Sequence, residues 1–133
     1  MRVYIASPYT RQQVVNEKLF NMLTEKKFDV FLPKKIDIDA VTFEEQLHVS
    51  TICYDEIEKC DLMVIVYPFG ISVACEIGYA IYQKRQGSTK KLILLNLKPK
   101  DKILQSEAML IPYIDSEVNS IEEVIKAALL LAR

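Results

Sequence analysis

Short apolar runs alternate along the chain with longer segments in which apolar residues recur at the spacing of an amphipathic helix. The runs predict β-strands at residues 2–6, 28–32, 61–67 and 91–97, and a weaker fifth strand at 108–114. Pro112 restricts this fifth strand to a sheet edge, because proline has no N–H to donate. The helical spacing predicts helices at residues 11–26 and 42–59, a helix around Glu76 that ends near residue 86, and a closing helix at 120–133.

Capping residues mark several of the predicted helix ends. The motifs Thr42-x-x-Glu45 and Ser120-x-x-Glu123 each fit a capping box, in which side chains and backbone amides pair reciprocally. Thr10 is expected to cap the first helix. These signals place the starts of three helices.

Strands and helices of these lengths predict a single α/β domain that spans residues 1–133. We expect a doubly wound, flavodoxin- or Rossmann-like parallel sheet of four or five strands, with helices on both faces. Right-handed crossovers leave few topologies, and the strand order 2-1-3-4-5 is the simplest. In such a sheet ligands bind beyond the carboxyl ends of the strands, at the switch point between strands one and three. The turns at residues 7–10 and 67–76 meet there.

Composition narrows the classes of function. Half of the 133 residues are hydrophobic, and the formal net charge of −1 offers no basic field for a nucleic acid. No apolar run approaches the ~18 residues of a membrane span, and the strand-like start has no charged n-region of a signal peptide. The three cysteines and the single histidine show no metal-ligand spacing. We expect reduced, mostly buried thiols in a cytoplasmic protein without metal or cofactor.

Glu76 is the one charged residue in residues 73–82, which are otherwise apolar or small. A helix that is apolar on all sides is expected to be buried, and a carboxylate in it is costly without a partner or a function. Gly70 and Gly78 flank Glu76 and suggest close approach of backbone or ligand. Two interpretations are open: a structural carboxylate, either paired with an Arg or Lys or at the solvent-exposed edge of the helix, or a functional one. The switch point favours the second, because it brings Glu76 to the turn at Ser7.

Three segments resemble the nucleoside 2-deoxyribosyltransferase family, which includes deoxynucleoside 5′-monophosphate N-glycosidases. They are residues 3–9 (VYIASPY), residues 60–66 (CDLMVIV) and residues 76–80 (EIGYA). The resemblance runs through most of the chain in the order of its elements. It implies that Glu76 is a nucleophile that attacks the anomeric carbon of the sugar, and that Tyr4 orients it. The alternative for Tyr4 is a core aromatic residue.

Two positions depart from the family's pattern. Transferases usually carry Asp six residues before the nucleophile and monophosphate glycosidases tend to carry Ser, whereas this chain has Gly70. Ser72 would substitute for that side chain, or it is only a helix N-cap. An Asn that reaches the neighbouring subunit's site in the family is missing near residues 107–109. These departures weigh against transfer to a second base more than against cleavage.

Hydroxyl-bearing and basic side chains are concentrated at the predicted crevice. The expected substrate-binding residues are Ser7, Tyr9, Thr10, Arg11, Gly70 and Ser72. Ser7, Thr10, Arg11 and Ser72 would together hold a 5′-phosphate. The alternative is that Thr10 is only a cap and Arg11 a solvated residue.

Other polar residues receive simpler interpretations. Asp37 and Asp39 lie in a loop that we expect to fold over the crevice and contact the base. We interpret Asp61 as structural and His48 as a surface residue. Cys75 is expected to face away from the site.

Three functions therefore stay open. The first is a glycosyltransferase that moves a deoxyribosyl group between bases, the second a hydrolase of nucleoside 5′-monophosphates, and the third a nucleotide-binding or sensing domain without turnover. Each implies a small nucleoside or nucleotide as ligand and neither nucleic acid nor membrane as partner. The apolar closing segment, residues 127–132, together with the family resemblance, favours a homo-oligomer.

Overall fold

The computed structural model describes residues 1–33 and 42–133. The described elements follow one another as β1 (Arg2–Ala6), α1 (Gln13–Glu25), β2 (Asp29–Phe31), α2 (Phe43–Lys59), β3 (Leu62–Tyr67), α3 (Ile71–Arg85), β4 (Lys91–Asn96), β5 (Ser116–Val118) and α4 (Ile121–Leu131). Two short 3₁₀ turns, Lys102–Ser106 and Ile111–Tyr113, lie between β4 and β5. In this part of the chain no helix is long and apolar enough to cross a membrane.

The five strands form one parallel sheet in the order β2-β1-β3-β4-β5, which confirms the predicted fold class. β1 and β3 are neighbours in the register Tyr4↔Met63, so their carboxyl ends emerge side by side. β3 and β4 are almost entirely buried, as expected for central strands covered on both faces.

Alternate residues of each central strand face two separate hydrophobic clusters. Val3 and Ile5 of β1 point to the cluster that contains α1 and α4. Tyr4 and Ala6 point to the opposite cluster, which contains residues of α2 and α3. The period of two along a strand thereby places Tyr4 on the same side of the sheet as Glu76.

The predicted fifth strand at residues 108–114 is wrong, because β5 is Ser116–Val118. Pro112 instead lies in a 3₁₀ turn, where a missing N–H costs little. Asp115 then fixes the start of the edge pairing. Its carboxylate accepts a hydrogen bond from the backbone N–H of Leu92 at 2.8 Å and one from Lys84 at 2.6 Å.

Both predicted N-caps are present, although the hydrogen bonds of the two Glu side chains differ from those of a full capping box. Thr42 accepts a hydrogen bond from the backbone N–H of Glu45, and Ser120 accepts one from that of Glu123. Thr10 does not cap α1, because the helix starts two residues later than expected and Gln12 is its N-cap.

α3 is not the buried helix that its composition predicts. Val73, Ile77 and Ala80 pack against the sheet, but Ile71 is 86% exposed and Tyr82 is 58% exposed. Composition alone could not distinguish the two faces, because apolar and small residues occupy both. Ile71, Gly78 and Tyr82 lie on the exposed face.

Candidate active site

A cavity of about 720 Å³ lies at the carboxyl edge of the sheet, where β1 and β3 diverge. Seven of the eight predicted site residues line it: Ser7, Tyr9, Thr10, Arg11, Gly70, Ser72 and Glu76. The eighth, Tyr4, lies fully buried in the adjoining core. The β1–α1 turn thus forms one wall of the cavity, and the start of α3 forms another. This juxtaposition follows from the parallel pairing of β1 with β3.

The side chain of Glu76 is largely buried on the inner side of α3. Burial raises its pKa from 4.5 to about 7, and the nearby Tyr4 hydroxyl acts in the opposite direction. Among the described residues its Oε2 atom has no hydrogen-bond partner, and no Arg or Lys forms an ion pair with it. The structural interpretation, a carboxylate paired with a cation, therefore has no support in this part of the chain.

Tyr4 is 0% exposed, and its ring stacks on Phe31 with the centroids 5.5 Å apart. Burial first, and the charge of Glu76 second, raise the pKa of the phenol far above its usual range. The phenol is therefore neutral and able to donate a proton in a hydrogen bond. Within the described residues its oxygen completes no hydrogen bond of good geometry, although it lies close enough to Glu76 to affect that carboxylate.

Cys53 of α2 is a site residue that the sequence did not identify. It lines the cavity and packs against the same cluster as Tyr4. Burial raises the pKa of its thiol, the neighbouring Tyr4 hydroxyl lowers it, and the charge of Glu76 raises it. Cys53, Tyr4 and Glu76 therefore form one group of neighbouring titratable side chains beside the cavity.

The sequence did not identify the other α2 residues that line the cavity either. With Cys53, they are Gln46, Val49, Ser50 and Tyr54. These residues recur every three to four positions and so share one helix face. That spacing is visible in the sequence, but nothing local shows that the face turns toward the crevice.

The N-terminus of α3 is open toward the cavity. Gly70 is the N-cap, and no side chain caps the free amides of the first turn. Ser72 lies inside the helix and is exposed, so its interpretation as the N-cap is wrong. A Cβ atom added at Gly70 would lie 3.2 Å from the Nη2 atom of Arg11. Gly70 thus lets the Arg11 guanidinium lie directly against the start of the helix.

Ser7 is 8% exposed, and its hydroxyl has no hydrogen-bond partner among the described residues. Asn16 of α1 donates a hydrogen bond to the carbonyl of Pro8 at 3.2 Å, which holds the turn that carries Ser7. Tyr9 is half-buried, whereas Thr10 and Arg11 are exposed at the mouth of the cavity. The turn therefore offers one buried hydroxyl and several groups at the rim.

The other polar residues that the sequence singled out can be compared with their positions in the structure. Asp61 accepts a hydrogen bond from the backbone N–H of Arg2 at 2.8 Å, at the opposite edge of the sheet from the cavity, as its structural interpretation requires. His48 is exposed, as expected. Cys75 does not face away from the site, because it is exposed and lines the cavity. Asp37 and Asp39 lie outside the described residues.

Residues 107–109, where the family resemblance would place an Asn, do not reach this cavity. Glu107 and Met109 instead line a second, apolar cavity of about 710 Å³ beside α3. Within residues 1–33 and 42–133, no three His, Cys, Asp or Glu side chains are grouped so as to hold a metal ion.

Solved proteins share this fold over nearly the whole chain. A 2-deoxyribosyltransferase from Bacillus psychrosaccharolyticus gives a TM-score of 0.78 at 18% identity, covering 94% of this chain and 90% of that chain. The CMP N-glycosidase BcmB of Clostridium botulinum gives 0.59 at 22% identity, covering 98% and 99%. A conserved protein from Enterococcus faecalis V583 gives 0.64 at 18% identity and covers 95% of each chain.

The structural neighbours thus include both kinds of enzyme that the sequence resembles, a deoxyribosyltransferase and an N-glycosidase. No family model matches the chain, and no curated protein matches it by sequence. The likeness therefore establishes that this chain has the fold of these nucleoside- and nucleotide-processing enzymes.

Proposed function

We propose that this protein cleaves the N-glycosidic bond of a nucleoside or nucleotide, with Glu76 as the nucleophile. The observation that carries the proposal is a buried carboxylate without a cation partner among the described residues, in the wall of a cavity that can hold such a ligand. A carboxylate in this environment is costly to the fold and suited to a reaction at a positively charged centre. The activities of the two structural neighbours named above support the same class of reaction.

The proposed reaction has two displacements at the anomeric carbon. In the first, a carboxylate oxygen of Glu76 forms a bond to that carbon, and the bond to the base breaks with its electron pair leaving on the base. The base takes up a proton from solvent and departs, which leaves a glycosyl ester on Glu76. In the second, a nitrogen of another base or the oxygen of water attacks the same carbon. The ester bond breaks, the carboxylate is restored, and the attacking group releases a proton.

Glu76 must be ionised to attack. With a pKa of about 7, roughly half of the empty sites carry the charge at neutral pH. We propose that the Tyr4 phenol stabilises the ionised form by donating to the carboxylate, since that hydroxyl lowers the pKa of Glu76. Tyr4 acts here as a positioning residue and does not line the cavity itself.

The acceptor in the second step separates the transferase from the hydrolase. Transfer of a deoxyribosyl group to a second base follows the resemblance, whereas Gly70 has no side chain with which to handle a base or sugar. The absent side chain is the specific observation that favours hydrolysis. A binding domain without turnover is the third candidate.

Chromatographic detection of released base tests the proposal. Deoxynucleosides and their 5′-monophosphates are incubated with the protein, with and without a second free base. We expect Glu76→Ala to lower the rate by at least about a thousandfold, as removal of a nucleophile does. The control is Glu117→Gln, which changes an exposed carboxylate on β5.

The products distinguish the three candidate functions. A new nucleoside that forms only with the acceptor base would identify a transferase. Free base that is released without exchange would identify a hydrolase. Full ligand affinity in Glu76→Ala without turnover in the unmodified protein would indicate a binding domain.

We further propose that the protein is a homo-oligomer. Three large apolar side chains are exposed on or beside α3: Ile71, Tyr82 and Met109. Gly78 lies in the same helix, and a Cβ atom there would meet nothing within 4 Å, so the monomer gives no packing reason for this glycine. Light scattering after size exclusion tests the proposal, and a monomer mass at every concentration would contradict it.

We also propose a cytoplasmic location, because Cys53, Cys60 and Cys75 are all free thiols. Cell fractionation with an antibody against the protein measures this directly. Recovery in a compartment that oxidises thiols would be incompatible with the proposal.

A further inference from the structure

Lys90 and Cys60 form a buried pair at the edge of the sheet opposite the active-site cavity. Lys90 directly precedes β4 and is 3% exposed, whereas Cys60 is the C-cap of α2 and is 5% exposed. The Nζ atom of Lys90 lies 3.3 Å from the Sγ atom of Cys60, although the two residues are 30 positions apart in the chain. The proposed cleavage at Glu76 uses neither side chain, so the role of this pair is independent of that reaction.

Backbone hydrogen bonds hold the two segments that carry the pair. The N–H of Lys91 donates to the carbonyl of Asp61 at 2.9 Å, between the starts of β4 and β3. The N–H of Lys90 donates to the hydroxyl of Ser88 at 3.2 Å. Because these bonds fix both segments, the lysine nitrogen and the Cys60 sulfur stay close to each other. Fixed proximity of this kind raises the rate of a reaction between two groups.

Among the described residues, the Lys90 ammonium has no carboxylate partner, although buried lysines usually have one. It donates hydrogen bonds to the backbone carbonyl of Ile57 at 2.6 Å and to that of Cys60. The Cys60 sulfur is the one side-chain atom in the described part of the chain that accepts a hydrogen bond from it. Burial raises the pKa of the Cys60 thiol, and the charge of Lys90 acts in the opposite direction.

We propose that Lys90 and Cys60 form a reversible covalent crosslink when dioxygen oxidises the pair, with one oxygen atom bridging the lysine nitrogen and the cysteine sulfur. The separation of 3.3 Å favours this N–O–S bridge over a direct bond. A direct sulfur–nitrogen bond is shorter than the ~2 Å of a disulfide, whereas an inserted oxygen spans most of the present distance. Burial excludes large oxidants and thiols, and dioxygen is small and apolar enough to enter.

The reaction balances with one molecule of dioxygen. The Lys90 ammonium loses two hydrogens and the Cys60 thiol loses one, while the O–O bond breaks and N–O and O–S bonds form to one oxygen atom. The other oxygen atom leaves as water, and one proton is released. Nitrogen and sulfur each give up two electrons, which together reduce the dioxygen. An excess of a dithiol reverses the reaction, because two dithiol molecules supply four hydrogens, become disulfides, and restore amine and thiol with release of water.

Mass spectrometry after exposure to dioxygen tests the proposal. The reduced protein is kept in oxygen-saturated buffer, denatured, and treated with iodoacetamide. We expect an increase in mass of about 14 Da, from one added oxygen atom and two lost hydrogens. Cys53 and Cys75 should be alkylated while Cys60 is not, whereas all three are free to react before oxidation. After trypsin, the peptide of Cys60 should be joined to that of Lys90, and dithiothreitol should separate the two.

Matched variants assign the crosslink to this pair. Cys60→Ser and Lys90→Met should each abolish the increase in mass, and Cys75→Ser, which changes an exposed thiol, should retain it. Cys60→Ser leaves the carbonyl partners of Lys90 in place, so it separates loss of the crosslink from loss of the fold. Circular dichroism before oxidation verifies that each variant is folded.

Three results would overturn the proposal. An increase of about 16 Da on Cys60, with Lys90 still cleaved by trypsin, would show oxidation of the sulfur alone to sulfenic acid. A loss of about 2 Da would identify a disulfide or a direct bond between sulfur and nitrogen. An unchanged mass would show that the pair does not react.

The crosslink should also raise the thermal stability. It closes a loop of the chain that contains β3 and α3, and so restricts the unfolded state. We expect Tm to rise by about 5–10 °C after oxidation and to return after treatment with dithiothreitol. Cys75→Ser should show the same rise, and Cys60→Ser should show none. A crosslinked protein whose Tm does not rise would show that the bridge distorts the fold, and would contradict the fit inferred from the 3.3 Å separation.

Discussion

Replacing Glu76 with Gln removes a charge that the fold holds at a cost. Burial raises the pKa of this carboxyl from 4.5 to about 7. The folded protein therefore binds a proton more tightly here than the unfolded chain does, and its stability falls as the pH rises through this interval. Below about pH 4.5 the group is protonated in both states and has no effect on the free energy of unfolding.

The size of the effect follows from the pKa difference. Each pH unit between 4.5 and about 7 corresponds to about 1.4 kcal/mol, so the ionised carboxylate destabilises the fold by about 3 kcal/mol above pH 7. Gln has nearly the same shape and no charge to desolvate. Glu76→Gln should therefore be up to about 3 kcal/mol more stable than the unmodified protein at pH 8. At pH 4.5 the two should be close to equal.

Urea denaturation at pH 4.5, 6 and 8 measures this difference directly. The comparison between the two proteins at each pH cancels the titration of every other group. Glu117→Gln is the control, because this exposed carboxylate on β5 should give no such pH-dependent gain. A difference between Glu76→Gln and the unmodified protein that does not change between pH 4.5 and 8 would refute the assigned burial and pKa of Glu76. So would a destabilised variant at pH 8.

Three further outcomes are expected. Tyr4→Phe removes the hydroxyl that lowers the pKa of Glu76. The acid limb of the plot of kcat/KM against pH should therefore move to higher pH. An acid limb that does not move would exclude contact between the Tyr4 hydroxyl and the Glu76 carboxylate. Lys90 is 3% exposed, and its ammonium donates hydrogen bonds to two backbone carbonyls at the end of α2. Lys90→Met should therefore lower the free energy of unfolding by about 2–4 kcal/mol, as measured by urea denaturation. A loss below about 1 kcal/mol would show that water replaces the ammonium. Gly87 has a φ of +100°, so Gly87→Ala should destabilise the fold by about 1 kcal/mol. Gly78 lies in a helix interior with open space around it, so Gly78→Ala should stabilise a dilute monomer by about the same amount. Stability changes of the same sign in the two variants would contradict this difference between the two glycines.

The sequence by itself determined the elements and their order. Apolar periodicity placed four of the five strands and all four helices that the structure describes, with most bounds within two residues. The capping motifs at Thr42 and Ser120 marked two helix starts. These signals are local, because the strand period, the helix period and a cap depend on residues a few positions apart. The alternation of elements then allowed few topologies, and the observed sheet order is the simplest of them.

Predictions from local sequence were wrong where packing against distant segments determines the structure. Residues 108–114 are apolar enough for a strand, but pairing with β4 occurs further on, at Ser116–Val118, where Asp115 anchors the edge. The composition of α3 predicts burial, yet Ile71 and Tyr82 are exposed because no described element covers that face. A segment's own residues do not specify what covers it.

The chemistry of the site was decided only by the tertiary structure. Glu76 stands out in the sequence as a lone carboxylate, but its pKa of about 7 depends on the surrounding core and on Tyr4, some seventy residues away. Cys53 enters the cavity wall because α2 packs beside α3, and Arg11 meets Gly70 because β1 and β3 are neighbours. Desolvation and contact between groups are properties of three-dimensional proximity, and residues far apart in the chain acquire them only when the sheet forms.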